Sequence, residues 1–136
     1  MKSKGIFNEK QEKTGVWEFY HSTGQLRIRT NYLNDKPEGK SYSWYSNGVK
    51  AGEEFYKDGE IDGLSTEYFY NGLPRKTEQY KLGKKEGTTN GYTADGTLEY
   101  TAGFKNDVEE GEITYYHKNK KPSSVATYKN GKPDGS

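Results

Sequence analysis

Residues 15–39 read GVWEFYHSTGQLRIRTNYLNDKPEG and residues 39–63 read GKSYSWYSNGVKAGEEFYKDGEIDG. Laid over one another, both begin with glycine and carry an aromatic at the sixth position, a glycine at the tenth and a second aromatic at the eighteenth. The offset of 24 residues continues along the chain through Gly15, Gly39, Gly63, Gly87, Gly111 and Gly135. Gly24, Gly48, Gly72 and Gly96 form a second series, with Lys120 as its one departure. A half-period of 12 residues lies inside the first, because Tyr20, Tyr32, Trp44, Tyr56, Tyr68, Tyr80, Tyr92, Phe104, Tyr116 and Tyr128 are all aromatic in a chain only 15% aromatic. Self-similarity at a fixed period signals a repeat architecture in which neighbouring units supply one another's core.

The unit reads as a β-hairpin. Short aromatic and Thr-rich segments such as KSYSWYS and TEYFY are bounded by turn signals about every 12 residues. SNG, YNG and ADG at the central turn suit a type I′ turn, with positive φ at both central residues, and NDKPEG, KDGEIDG and KNGKPDG read as longer connections between hairpins. No segment carries a capped helical stripe. The expected fold is all-β: an elongated, single-layer antiparallel meander of about five 24-residue hairpin repeats, roughly 48 Å long at ~4.8 Å per strand. Residues 1–14 read as an irregular N-terminal edge segment, and residues 15–136 as five repeats plus the start of a sixth at Gly135-Ser136. The ten ladder aromatics are the expected core, with both of their columns on one face of the sheet. At the far end Lys118, Lys120, Lys121 and Pro122 would discourage pairing by another chain.

Composition fits such a slab. Leu, Ile, Val and Phe total 19 of 136 residues, too few for a conventional aliphatic core, yet 20 aromatics and a net charge of +1 argue against disorder. The balance of 21 basic and 20 acidic residues offers no field for nucleic acid, no apolar run is long enough for a membrane span, and the absence of cysteine excludes disulfides and thiolate sites.

Catalytic groups do not converge in this frame. His21 and His117 stand four whole periods apart, about 38 Å across eight strands, so they share neither a metal nor a base role. Asp107, Glu109, Glu110 and Glu112 lack the ligand order of a calcium loop and read as a solvated loop. No catalytic, cofactor or metal residue is assigned. Within the repeats nine aromatics lie off the ladder, and from them Trp17, Tyr45, Phe69 and Tyr70 are the candidate binding surface, since exposed aromatic rings make good interface anchors.

The G-x-W start at Gly15 and Trp17, the block Tyr68 to Gly72 and the block Tyr128 to Gly135 resemble the MORN repeat variant, and more closely the YwqK-like antitoxin family. Only the first unit has Trp at its third position; Ser41, Ser65, Thr89 and Ile113 replace it in the others. The resemblance implies an extended antiparallel sheet used for non-catalytic protein binding, with a toxin occluded by an immunity protein as its concrete form. Cell-wall carbohydrate or lipid association is the second expectation. An antitoxin would act in the cytoplasm, and a fragment separated from its signal peptide would be exported.

Overall fold

The computed structural model describes residues 2–116 and 122–133. His117, Lys118, Lys120, Lys121 and the Gly135-Ser136 pair lie outside the described residues. All elements are strands: β1 (Ser3–Phe7), β2 (Lys13–Tyr20), β3 (Leu26–Leu33), β4 (Lys36–Trp44), β5 (Lys50–Lys57), β6 (Glu60–Ile61), β7 (Gly63–Tyr68), β8 (Pro74–Lys81), β9 (Lys84–Lys85), β10 (Gly87–Tyr92), β11 (Leu98–Lys105), β12 (Val108–Glu109), β13 (Gly111–Tyr116), β14 (Pro122–Lys129) and β15 (Lys132–Pro133). They form one open antiparallel sheet in meander order, and the short β6, β9 and β12 are the leading ends of β7, β10 and β13. The accessible surface, 8860 Å2, exceeds the roughly 7,200 Å2 of a compact monomer of 15.5 kDa, as an extended sheet requires. Within residues 1–14, β1 pairs with β2 through a register slip between Lys4 and Ile6.

The two kinds of turn exchange the roles expected of them. The type I′ turns join one unit to the next: Asp58 and Gly59 have φ of 52° and 84°, and Asn34-Asp35, Leu82-Gly83, Asn106-Asp107 and Asn130-Gly131 follow the same pattern. The central turn is instead a three-residue loop in which only the glycine is left-handed. In the second unit the Tyr45 carbonyl accepts from Gly48 N–H at 2.9 Å, Tyr45 N–H donates to the Val49 carbonyl at 2.8 Å, and Gly48 has φ of 87°. This is a type I turn closed by a glycine bulge. The preceding Asn or Asp acts through its side chain, not its backbone: Asn47, Asn71 and Asp95 each accept a bond from the N–H two residues on, at 2.9 to 3.1 Å. That function explains why SNG, YNG and ADG mimic the I′ signature without adopting it.

Immediately after each I′ turn the register slips. Tyr56 pairs with Ile61, whereas Glu53 pairs with Thr66, so two residues of one strand are accommodated between those pairs. Gly39, at the equivalent slip in the second unit, has φ of 84° and open space where a Cβ would stand, so backbone conformation selects glycine there. The slip aims the preceding acid at the next turn. Glu38, Asp62, Glu86 and Glu110 accept bonds from the N–H groups of Asp58, Leu82, Asn106 and Asn130, at 2.8, 3.1, 2.9 and 3.0 Å. Every hook spans 20 residues and ties one unit to the following turn.

The two aromatic columns lie on opposite faces, not on one. Tyr32 packs edge-on to Trp17 at 6.5 Å, and Tyr56 donates to Glu54, placing that column beside Trp17, Thr30 and Glu54. Tyr20 donates to Glu18, and Trp44 packs against Tyr42 and beneath the Arg29 guanidinium, which belong to the alternate residues of the same strands. The one-residue bulge between Phe19 and Tyr20, repeated in each hairpin, accompanies the change of side. Nor are the ladder rings the deepest residues, since a single sheet leaves each ring one open side. Burial is greatest in the row between the rings, at Trp17, Thr30, Ser65, Glu78, Thr89, Ala102 and Ile113. The third-position residues Ser65, Thr89 and Ile113 therefore occupy the Trp17 slot as the floor of one face.

Gly91 is required for a different reason from Gly39: a Cβ there would fall 2.0 Å from the Tyr100 ring. We expect Gly91→Ala to destabilise by more than about 2 kcal/mol and Gly39→Ala by about 1 to 2 kcal/mol. Adding Tyr100→Ala should make the Gly91→Ala step far milder and leave the Gly39→Ala step unchanged, as read by urea unfolding midpoints. Glu86→Ala, which cuts one hook, should cost about 1 kcal/mol and add to the cost of Glu110→Ala in the double variant.

Candidate functional site

The four aromatics expected to form a binding surface separate into two places. Trp17 is 5% exposed and belongs to the floor of the ring-bearing face, where its Nε1–H donates to the Ile6 carbonyl at 2.9 Å and Phe7 meets it edge-on at 4.9 Å. It is not available to a partner. Tyr45, Phe69 and Tyr70 gather along the long edge formed by the central turns. The Tyr45 and Tyr70 rings stack at 4.2 Å with planes 16° apart, Tyr70 is 61% exposed, and the Arg75 guanidinium lies 6.0 Å from the Phe69 ring centre. Two adjacent units thus present one preordered aromatic knob.

Tyr45 also holds the array together. Its hydroxyl donates to the Tyr68 carbonyl of the next unit. His21 occupies the same slot one period earlier, with Nε2 2.8 Å from the Trp44 carbonyl. The histidine is therefore a link between units. His117, the fifth occupant of the slot, lies outside the described residues. The acidic stretch also has a structural role: Asp107 accepts from Lys85 N–H at 2.7 Å and Glu110 from Asn130 N–H at 3.0 Å, and no cluster of metal-ligating side chains occurs among the described residues.

A feature not anticipated from composition or periodicity lies on the Trp17 face. A groove of about 500 Å3 crosses the first two units, walled by Phe19 and Ile28 on one side and Tyr32 and Tyr56 on the other, over Ser41 and Gly52. Two units further on the equivalent depression holds only about 160 Å3. There Tyr100 folds over Gly91, and Lys85 lies 4.9 Å from the Phe104 ring centre. The signal was present in the sequence as Gly52 at the slot that Lys76 and Tyr100 fill.

Each depression is lined by a glutamate, and the two share one slot of the repeat in consecutive units: Glu54 in the first and Glu78 in the second, where Ala102 stands at the position equivalent to Glu54. Glu78 is 6% exposed, with Lys85 Nζ 2.8 Å and Lys76 Nζ 3.4 Å from its oxygens. Lys85 approaches Oε2 and Lys76 approaches Oε1. Burial would push this carboxyl up; the bond and charge of Lys85 and the charge of Lys76 outweigh it and hold the group below its ordinary 4.5. Glu54 is half-buried and accepts from the Tyr56 hydroxyl at 2.5 Å. Burial, then the Glu54 bond and charge, push that phenol up and keep it a donor.

The family model described as the MORN repeat variant matches residues 13–34, 37–58 and 109–130. Its frame steps by the same 24 residues, and each matched stretch ends within an inter-unit I′ turn. No curated protein matches the chain.

Because Glu78 titrates lower folded than unfolded, its contribution to stability is complete above the unfolded value near pH 4.5 and disappears as pH falls through the lower folded value. Wild type should lose thermal stability more steeply than Glu78→Gln below about pH 5, and the two slopes should agree at neutral pH.

Proposed function

We propose that this protein is a non-catalytic repeat module that binds a protein partner through the aromatic edge of its second and third units. One observation carries the reading: the Tyr45–Tyr70 stack at 4.2 Å, with Tyr70 61% exposed on a hydrogen-bonded turn. Exposed aromatic anchors held in place before contact cost little ordering on binding and dominate interface energies. The MORN resemblance is in keeping with this, since such repeats commonly serve as protein or membrane-lipid interaction modules. A toxin occluded by the edge and its adjoining face is the most concrete partner that the resemblance implies.

Tyr70→Ala and Phe69→Ala test the reading. Tyr70 is exposed and, among the described residues, makes no hydrogen bond to the next unit, so its loss should lower the melting temperature by no more than about 2 °C while weakening partner capture by more than about 2 kcal/mol. Tyr45→Ala should weaken capture and stability together, because its hydroxyl also bridges units. Capture from lysate is read beside a glycan array and sedimentation with acidic vesicles. Wild-type binding to glycans or vesicles that the Tyr70→Ala change abolishes, with no protein recovered, would overturn the proposal.

A further inference from the structure

The repeat permits a controlled comparison within one molecule, because Glu54 and Glu78 occupy one slot in consecutive units. At Glu78 the chain supplies its own cations, Lys76 two residues earlier on the same strand and Lys85 on the neighbouring short strand. The residues at those two slots around Glu54 are Gly52 and Ile61. Neither carries charge. Among the described residues Glu54 forms no ion pair, its one hydrogen bond comes from the Tyr56 hydroxyl to Oε2, and the residue lines the groove. Glu67 stands directly across from Gly52 on the neighbouring strand and adds a second acid next to that position. Arg27 lies on the rim and is engaged in contacts of its own.

The space follows the charge. Where Lys76 extends beside Glu78, Gly52 has no side chain to place beside Glu54, and the groove of about 500 Å3 lies open there. Its flanks are the Tyr32 and Tyr56 rings, which suit the methylene stem and the ammonium of a lysine. The same pairing of lysine and ring already occurs within the chain, where Lys13 Nζ lies 5.4 Å from the Tyr32 ring centre and Lys85 Nζ 4.9 Å from that of Phe104.

From this we infer that the groove is a receptor for one lysine side chain of the protein partner, whose ammonium takes beside Glu54 the place that Lys76 takes beside Glu78. The inference rests on the protein-binding reading and specifies the partner's chemistry: an exposed lysine on a protruding segment, seated between Tyr32 and Tyr56. The contact supplies selectivity, since a partner lacking the lysine would leave the carboxylate half-buried and unpaired.

The test is a titration of the full chain with Nα-acetyl-lysine amide, followed by amide chemical shifts, with Nα-acetyl-norleucine amide as the chargeless probe. The lysine probe should shift signals at Gly52, Glu54 and Tyr56 with saturation in the millimolar range, and the norleucine probe should not. Glu54→Gln keeps the shape and the Tyr56 bond and should weaken the lysine probe about fivefold. Gly52→Lys and, independently, Ile61→Lys give this unit the cation of the next one and should abolish the shifts while the remaining spectrum stays unchanged. The Gly52 position has the Ser43 hydroxyl 3.0 Å from a built Cβ, a neighbour that can rotate away, and Ile61→Lys keeps the test informative should that site resist. Equal response to both probes, unchanged affinity in Glu54→Gln, or shifts mapping elsewhere would overturn the inference. The two proposals fail separately: partner capture lost in Tyr70→Ala speaks to the edge, and the probe titration speaks to Glu54 with no partner present.

Discussion

The whole assembly depends on one backbone constraint, the left-handed conformation adopted once per unit just after the inter-unit turn. A single-layer sheet this poor in aliphatic residues is held chiefly by main-chain bonds from strand to strand, and those bonds persist only if each slip in register is accommodated without strain. Glycine at positions such as 39 and 63 makes the slip inexpensive, with φ of 84° at both. The same slip turns the adjoining carboxylate outward to hold the next turn. Register, inter-unit bonding and the alternation of faces are thus three results of one local geometry.

Burial in this architecture is set by row and not by residue type. The central row of the Trp17 face is covered by neighbours on either side, and it contains Thr30, Ser65, Glu78 and Thr89 beside Ala102 and Ile113. Polar groups persist there because partners are close: Thr30 and Ser41 share a 2.7 Å bond, and Glu78 has its two lysines. The large rings flank the row and shield it from water on one side only. Tyr32, Tyr56 and Tyr80 therefore behave as walls, and the hydroxyl at the end of each is where polar neighbours gather.

Much of this was legible in the amino-acid sequence, for reasons that are local. Glycines and aromatics recur at fixed slots because the backbone demands the first and inter-strand packing favours the second, so hairpin number, strand order and the absence of helix follow from spacing. The turn types were not legible in the same way. Asn47-Gly48 and Asp58-Gly59 are nearly the same dipeptide, yet the first uses the Asn side chain as an acceptor and the second uses a left-handed backbone at both residues. The side of the sheet on which Tyr20 and Tyr32 fall depended on a one-residue bulge that no side chain announces. Trp17 read as a surface aromatic because a single sheet was expected to leave off-ladder rings outside; β1 and Phe7 cover it instead. The groove beside Glu54 is likewise a difference between units, visible only after the repeat is used to compare each slot with its neighbours.

The carboxylate hooks have a consequence for how such a chain can grow over generations. Donor and acceptor of each hook lie 20 residues apart, in neighbouring copies, and both belong to slots that every internal copy carries. Duplicating any 24-residue segment therefore creates a complete new hook at the junction, wherever within the unit the breakpoints fall. An insertion of a single residue does the reverse, inverting the faces of everything downstream within its strand. Genetic change in this protein is thus filtered toward whole-unit gain or loss and toward substitutions on a fixed grid, the process by which Gly52 and Lys76 could diverge at one slot without disturbing the sheet that carries them.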